Sequence, residues 1–332
     1  MTCTLTGRLL PLPLLVLITL LLTACDPAPG PSATTEVAAK GLYSGAISPS
    51  GDYFVIGSIY HGGSLWSSRG ERLFNWNHKA GERSAIVATD FSPDGQWAVT
   101  AEDQTLVLWS ATTGKAVVYL SAPAQILDVA LGQNGNYALV GTTGNEALLY
   151  NLRQRSVVRV LNHANTVRSV ALSDDGRLAL TGSEDTTAVL WDLESGRPLF
   201  TIKHQDDVQQ VALSPDGRLA LSAAQYDKAV LWRTSNGEVI GELPLAAEHL
   251  KRGSRFTAAE FSANSSLLLT GSPDRVVQLW DTARLSLVKE WHLPKRNAWK
   301  PTGAAVVAVG FGPGTGVFQA LSANGFQHEL RR

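Results

Sequence analysis

The feature that most constrains this chain is a period. Aromatic residues close apolar runs at Trp66, Trp109, Tyr150, Trp191, Trp232 and Trp280, with His328 in the seventh place, at spacings of 43, 41, 41, 41, 48 and 48 residues. A turn sequence upstream keeps step with them. It runs from Ser48 to Gly51, Ser92 to Gly95, Gln133 to Gly135, Ser173 to Gly176, Ser214 to Gly217, Ser262 to Ser265 and Gly312 to Gly314. Two markers in register seven times define a repeated unit that buries its apolar faces only against neighbouring copies.

Each period encodes four strands. Before the turn lies a run such as Val167 to Leu172, and between turn and aromatic lie Arg177 to Thr181 and Ala188 to Trp191. A polar turn and a fourth run, Arg197 to Ile202, complete the unit. Short Val- and Leu-rich runs punctuated by Gly, Asp and Pro read as a meander of antiparallel hairpins. Seven such units resemble the WD40 family of β-propellers, with literal Trp-Asp pairs at Trp191-Asp192 and Trp280-Asp281. The resemblance covers about Glu36 to Arg332 and implies an all-β, seven-bladed propeller. The seventh repeat has only three strands of its own, so its outermost strand is expected from about Thr34 to Ala39.

The family also implies a buried network in some blades, made of a His, a Ser or Thr, an Asp and a Trp. The fourth repeat carries all four as His163, Thr181, Asp185 and Trp191. Asp185 is expected to accept from the imidazole, which reaches Thr181, which accepts from the indole. Closing such a circuit matters because each unpaired buried member costs about 1–3 kcal/mol. Other repeats are partial: His78, Thr100, Asp103 and Trp109 in the second; His204, Ser222 and Trp232 in the fifth, with Tyr226 in the acidic place and Asp227 one residue late; and Thr270, Asp274 and Trp280 in the sixth, with His249 displaced.

Ahead of the repeats stands a sorting signal. One cation, Arg8, precedes the apolar run Leu9 to Leu22, which is shorter than the roughly 20 residues needed to span a bilayer. Leu22-Thr23-Ala24-Cys25 resembles the bacterial lipobox. It implies removal of residues 1–24, acylation of Cys25, and a flexible tether over 25–33 before the propeller at 34–332. The acyl chains would hold the protein on a membrane without a spanning helix. Asp26 beside Cys25 favours the inner membrane in the enteric pattern, with the outer membrane the other possibility, and the propeller faces the periplasm.

Composition narrows the function. There are 28 Lys and Arg against 29 Asp and Glu, for a net charge of −1, which excludes an electrostatic nucleic-acid binder. Two cysteines, one in the leader and one acylated, leave no disulfide and no thiolate metal site. The seven histidines are dispersed without tight clustering, so no metal and no cofactor are expected. His163, Asp185 and Thr181 invite comparison with a hydrolase triad, but the same residue types recur at the same phase, so they read as construction. The repeats show neither an arginine cluster with Asp-box turns nor a repeated Trp docking pattern, and no phosphate loop is present.

Function is therefore expected where the repeats deviate. Insertions around Pro244 to Arg255 and Glu290 to Gly303 both join a fourth strand to the next first strand, placing them on one face. They carry Lys251, Arg252, Arg255, Lys295, Arg296 and Lys300, interleaved with Trp291 and Trp299. Trp and Arg favour interface anchoring, and the cations suit an acidic partner or anionic lipid. The reading is a lipid-anchored, non-catalytic interaction scaffold of the bacterial cell envelope, monomeric within a complex. The alternative is a small-ligand or glycan-binding, even enzymatic, propeller using the central channel, for which the repeat phase offers no clear polar set.

Overall fold

The computed structural model describes residues 28–79, 81–243, 256–297 and 303–332. Seven four-stranded antiparallel sheets stand as blades. The fourth shows the pattern: β14 (Val167–Leu172), β15 (Leu178–Ser183), β16 (Thr187–Asp192) and β17 (Arg197–Lys203), hydrogen-bonded in that order. The two middle strands of a blade are covered on both faces by neighbouring blades. That is why they read as continuous apolar runs, with Leu180, Ala188 and Leu190 fully buried.

The turn after each first strand follows from its residue types. At Ser173 to Gly176, the Ser173 hydroxyl donates to Asp175 and accepts from the Leu178 N–H, while Asp175 accepts from the Arg177 N–H. Gly176 closes the turn at φ 67°, a conformation that favours glycine. The sixth blade places Ser265 at φ 59° in the same role.

The ring closes through its ends. Strand β1 (Ala33–Glu36) pairs antiparallel with β28 (Phe326–Arg331), in the register Thr34 to His328 and Glu36 to Phe326, and completes the sheet of β27 (Val317–Ser322) and β26 (Val306–Phe311). The chain ahead of it crosses the rim onto blade six, where the Pro29 carbonyl accepts from the His292 N–H at 3.1 Å.

First strands in five blades carry a bulge near their start, as between Leu42 and Ser44, Ile126 and Asp128, and Val167 and Ser169. The bulge turns one side chain sideways into the next blade. Ser44 donates to the Ile86 carbonyl at 2.8 Å, Asp128 accepts from the Val170 N–H at 2.9 Å, and Ser169 accepts from the Val211 N–H at 3.2 Å. The wall of the central channel is knit blade to blade by these bonds.

Candidate functional site

Three places could carry function: the buried histidine networks, the face of the long loops, and the channel. In blade four the side chains meet as a chain of donors. The Trp191 indole donates to Thr181 Oγ1 at 2.8 Å, Thr181 lies 2.7 Å from His163 Nε2, and His163 Nδ1 lies 2.9 Å from Asp185 Oδ2. The ionised Asp185 carboxylate can only accept, which places a ring proton on Nδ1; in the neutral imidazole Nε2 then accepts from the Thr181 hydroxyl, whose oxygen accepts from the indole. Asp185 also accepts from the Ala164 N–H and from Thr187. Burial opposes its ionised form, but the bonds from Thr187, Ala164 and His163 outweigh it and hold the carboxyl below its ordinary range. The His163 side chain is 1% exposed.

Other blades solve the same problem with different residues. In blade two the hairpin is one residue shorter, so Asp103 sits in the turn at φ 45° and Thr105 takes its place, 2.9 Å from His78 Nδ1, with Glu102 at 3.7 Å. In blade five, Tyr226 points outward at 65% exposure and Asp227 approaches His204 Nδ1 at 3.6 Å. Ser222 meets His204 at 2.9 Å, and the Trp232 indole N–H has no acceptor among the described residues. In blade seven His328 occupies the aromatic's place, fully buried between Ser322 at 2.8 Å and Thr34 at 3.0 Å. Burial pushes its imidazole down to about 4.

The loop face divides. Cys25, and the candidates Lys251, Arg252, Arg255, Trp299 and Lys300, lie outside the described residues, as does His249. Lys295 is exposed. Trp291 is not available to a partner: it lies in β25 (Ser286–His292) at 1% exposure, its ring tilted against Phe318 at 5.4 Å and its indole donating to the Arg331 carbonyl. Its strand position faces blade seven, so burying the ring fills the seam between blades. Arg296 is committed to ring closure. Its guanidinium donates to the carbonyls of Asn324 at 2.9 Å and Ala38 at 2.7 Å and to Glu36 at 2.8 Å, and it stacks 4.5 Å over Phe326.

The channel is a cavity of about 490 Å³ with an acidic lining. Asp90, Asp128, Asp174 and Glu260 face it, against Arg168 as the one cation among its described lining residues, itself paired with Glu184. Glu260 keeps its own surface open to the cavity, yet protein surrounds it. Burial, then the charges of Asp90 and Asp174, push it up to about 8. Burial likewise raises Asp90 to about 7 and Asp128 to about 6 against the backbone N–H groups of Leu131 and Val170. A signal for this set exists in the repeat. Five blades place Ala46, Ala130, Ala171, Ala212 and Gly310 where blades two and six place Asp90 and Glu260. Among the described residues, no three His, Cys, Asp or Glu side chains are grouped to hold a metal ion.

Comparison with known families returns the WD domain, G-beta repeat, over residues 72–110, 155–192, 196–233 and 247–281. Each of these segments ends one residue past its aromatic, Trp109, Trp191, Trp232 or Trp280. No curated protein shows significant similarity to the chain.

Proposed function

We propose, from the premise that the chain belongs to the WD40 family of β-propellers, that it is a non-catalytic interaction scaffold anchored by lipid in the bacterial envelope. Propellers of this family typically serve as interaction scaffolds. The observation that carries the non-catalytic reading is the enclosure of His163, whose two ring nitrogens are both engaged and whose side chain is 1% exposed. A general base must reach a substrate proton, and this imidazole reaches only its own blade. Cys25 in its lipobox supplies the anchor, Asp26 favours the inner membrane, and the propeller faces the periplasm. The long loops supply the docking face through Lys251, Arg252, Arg255, Lys295, Trp299 and Lys300, while Trp291 and Arg296 serve the seam and the ring closure.

Two measurements test this. Cys25→Ser moves the protein from the membrane to the soluble fraction, and full retention on membranes refutes the anchor. Ala at Lys251, Arg252 and Lys300 together leaves the melting temperature unchanged and removes partners crosslinked on native membranes; an unchanged crosslinking pattern refutes the docking face.

The carboxyl lining of the channel favours a second reading, capture of a small cationic ligand there, whose charge would displace the protons that Glu260 and Asp90 hold near neutral pH. Calorimetric titration with spermidine decides it: Asp90→Asn with Glu260→Gln abolishes the heat of binding if the channel is used, and no heat with the wild type removes the reading.

A further inference from the structure

Five of the seven seams between blades follow one rule, and the seam of blades two and three breaks it. The turn before each fourth strand holds a residue at positive φ: Gly70, Gly114, Arg155, Gly196, Gly237 and Leu285 in the first six blades. Glycine there makes room for a side chain from the preceding blade's outer strand. A Cβ on Gly114 would stand 2.4 Å from the Phe74 ring, and one on Gly237 would stand 2.7 Å from that of Phe200. At the seam of blades five and six the partners are exchanged, with Leu285 filling the space over Gly241. Each of these seams pairs a bulky group with a glycine.

Between blades two and three neither half is present. The outer-strand position is Val118, in β9 (Ala116–Ser121), and the turn position is Arg155 at φ 55°. The seam stays open as two cavities of about 340 and 850 Å³, with Arg155 in the wall of both. Its walls carry Val117 at 44%, Tyr119 at 56% and Val157 at 41% exposure; Leu199 and Val239 at the plugged seam of blades four and five are equally exposed, so what sets this seam apart is the missing plug and the arginine. Beside them Arg153 and Arg155 are exposed and form no ion pair among the described residues. Strand β9 is the outer edge of its sheet, so its free backbone groups can pair with an added strand.

We propose that this seam is a docking groove for an extended peptide combining apolar and acidic side chains. The apolar residues cover Val117, Tyr119 and Val157, and the carboxylates meet Arg153 and Arg155. The charge decides the class of partner: Arg153, Arg155 and Lys79 face only Glu102 among the described lining residues, the two arginines form no ion pair among them, and a guanidinium pairs with carboxylate in bidentate fashion. The inference goes beyond the anchored-scaffold reading, since it uses neither Cys25 nor the loop face.

The test uses the full chain in detergent and a short fluorescein-labelled peptide of alternating Asp and Leu, followed by fluorescence anisotropy. Peptides of alternating Asp and Ser and of alternating Lys and Leu are controls. Val118→Phe with Arg155→Gly rebuilds the plug of the neighbouring seams, and Arg153→Glu with Arg155→Glu keeps the apolar walls and reverses the charge. The Asp–Leu peptide binds the wild type, weakens with salt, and binds at least about tenfold more weakly to both variants. The reversed variant gains the Lys–Leu peptide. Failure of the wild type to bind the Asp–Leu peptide, or equal binding by wild type and plugged chain, overturns the proposal. So does a dimer in sedimentation that the plug dissociates, since the occupant is then a second copy. The charge-reversed variant alters only exposed side chains and decides the matter if the plugged one misfolds.

Discussion

Replacing Asp185 by Ala tests the buried circuit of blade four, and the structure sets the size of the effect. The carboxylate accepts four bonds: from His163 Nδ1 at 2.9 Å, the Ala164 N–H at 2.9 Å, the Thr187 N–H at 3.0 Å and Thr187 Oγ1 at 2.5 Å. Ala164 is exposed and turns to water at little cost. The His163 ring is 1% exposed, so its N–H is left dry, which alone costs about 1–3 kcal/mol. Adding the loosened Thr187 gives about 2–3 kcal/mol, or a melting point lower by about 3–6 °C for a domain of this size. The effect depends on pH in a definite direction. Asp185 titrates below its ordinary 3.8 in the folded chain, so its contribution is complete above that value and is lost as pH falls through the folded pKa. Thermal melting at neutral pH, with hydrogen exchange read blade by blade, is the assay. Asp103→Gly is the control: Asp103 sits in its turn at φ 45°, which glycine adopts more easily, so this change is neutral or stabilising. An unchanged melting point for Asp185→Ala, or equal losses at both positions, refutes the circuit.

Further outcomes follow from the same geometry. Arg296→Ala removes three bonds and a stack at the closing strand; about 2 kcal/mol is lost, and hydrogen exchange rises first in residues 33–36 and 326–331. Ser222→Thr supplies blade five with the residue that accepts the indole in blades two, four and six. It stabilises by about 0.5–1 kcal/mol in urea unfolding, and a loss of stability argues against a missing acceptor at Trp232. His328, lowered from 6.5 to about 4, contributes stability that is complete above pH 6.5 and is lost as pH falls through that window, on the order of 3 kcal/mol. The raised carboxylates of the channel push the opposite way over the same range. The measurement is therefore the difference between wild type and His328→Gln, which shrinks toward acid; a difference flat with pH refutes the assignment.

What the sequence made legible was whatever repeats. Trp191, Asp185 and the Ser173 turn recur in phase, so blade count, strand order and closure by the first strand could be read before any coordinate. In blade two the sequence shows Thr100 one residue closer to Asp103 and Trp109 but not what the contraction does, which is to move Asp103 into the turn and Thr105 into the acid's place. Trp291 and Arg296 were misread for a different reason. Phe318, Asn324 and Ala38 decide their burial, and nothing local to residues 290–303 reveals those neighbours. The channel carboxylates escaped because Asp90 and Glu260 meet only across the ring, although a comparison of first strands by column exposes them against five small residues. The open seam is equally visible as Arg155 in a column that otherwise holds four glycines and Leu285.

The bond between Thr34 and His328 joins residues 294 positions apart. In a chain synthesised from its amino end, the segment 33–36 is made first and waits for a partner made last. Until then blade seven has no outer strand, and six finished sheets stand in an open arc. Completion is thus a single late event, with a closure entropy that grows only slowly with the length enclosed. Force applied ahead of residue 28 meets first the bond between the Pro29 carbonyl and His292, then Ser32 on Glu329, and then this four-residue strand with the arginine that pins it, so the load enters the ring through its closing blade.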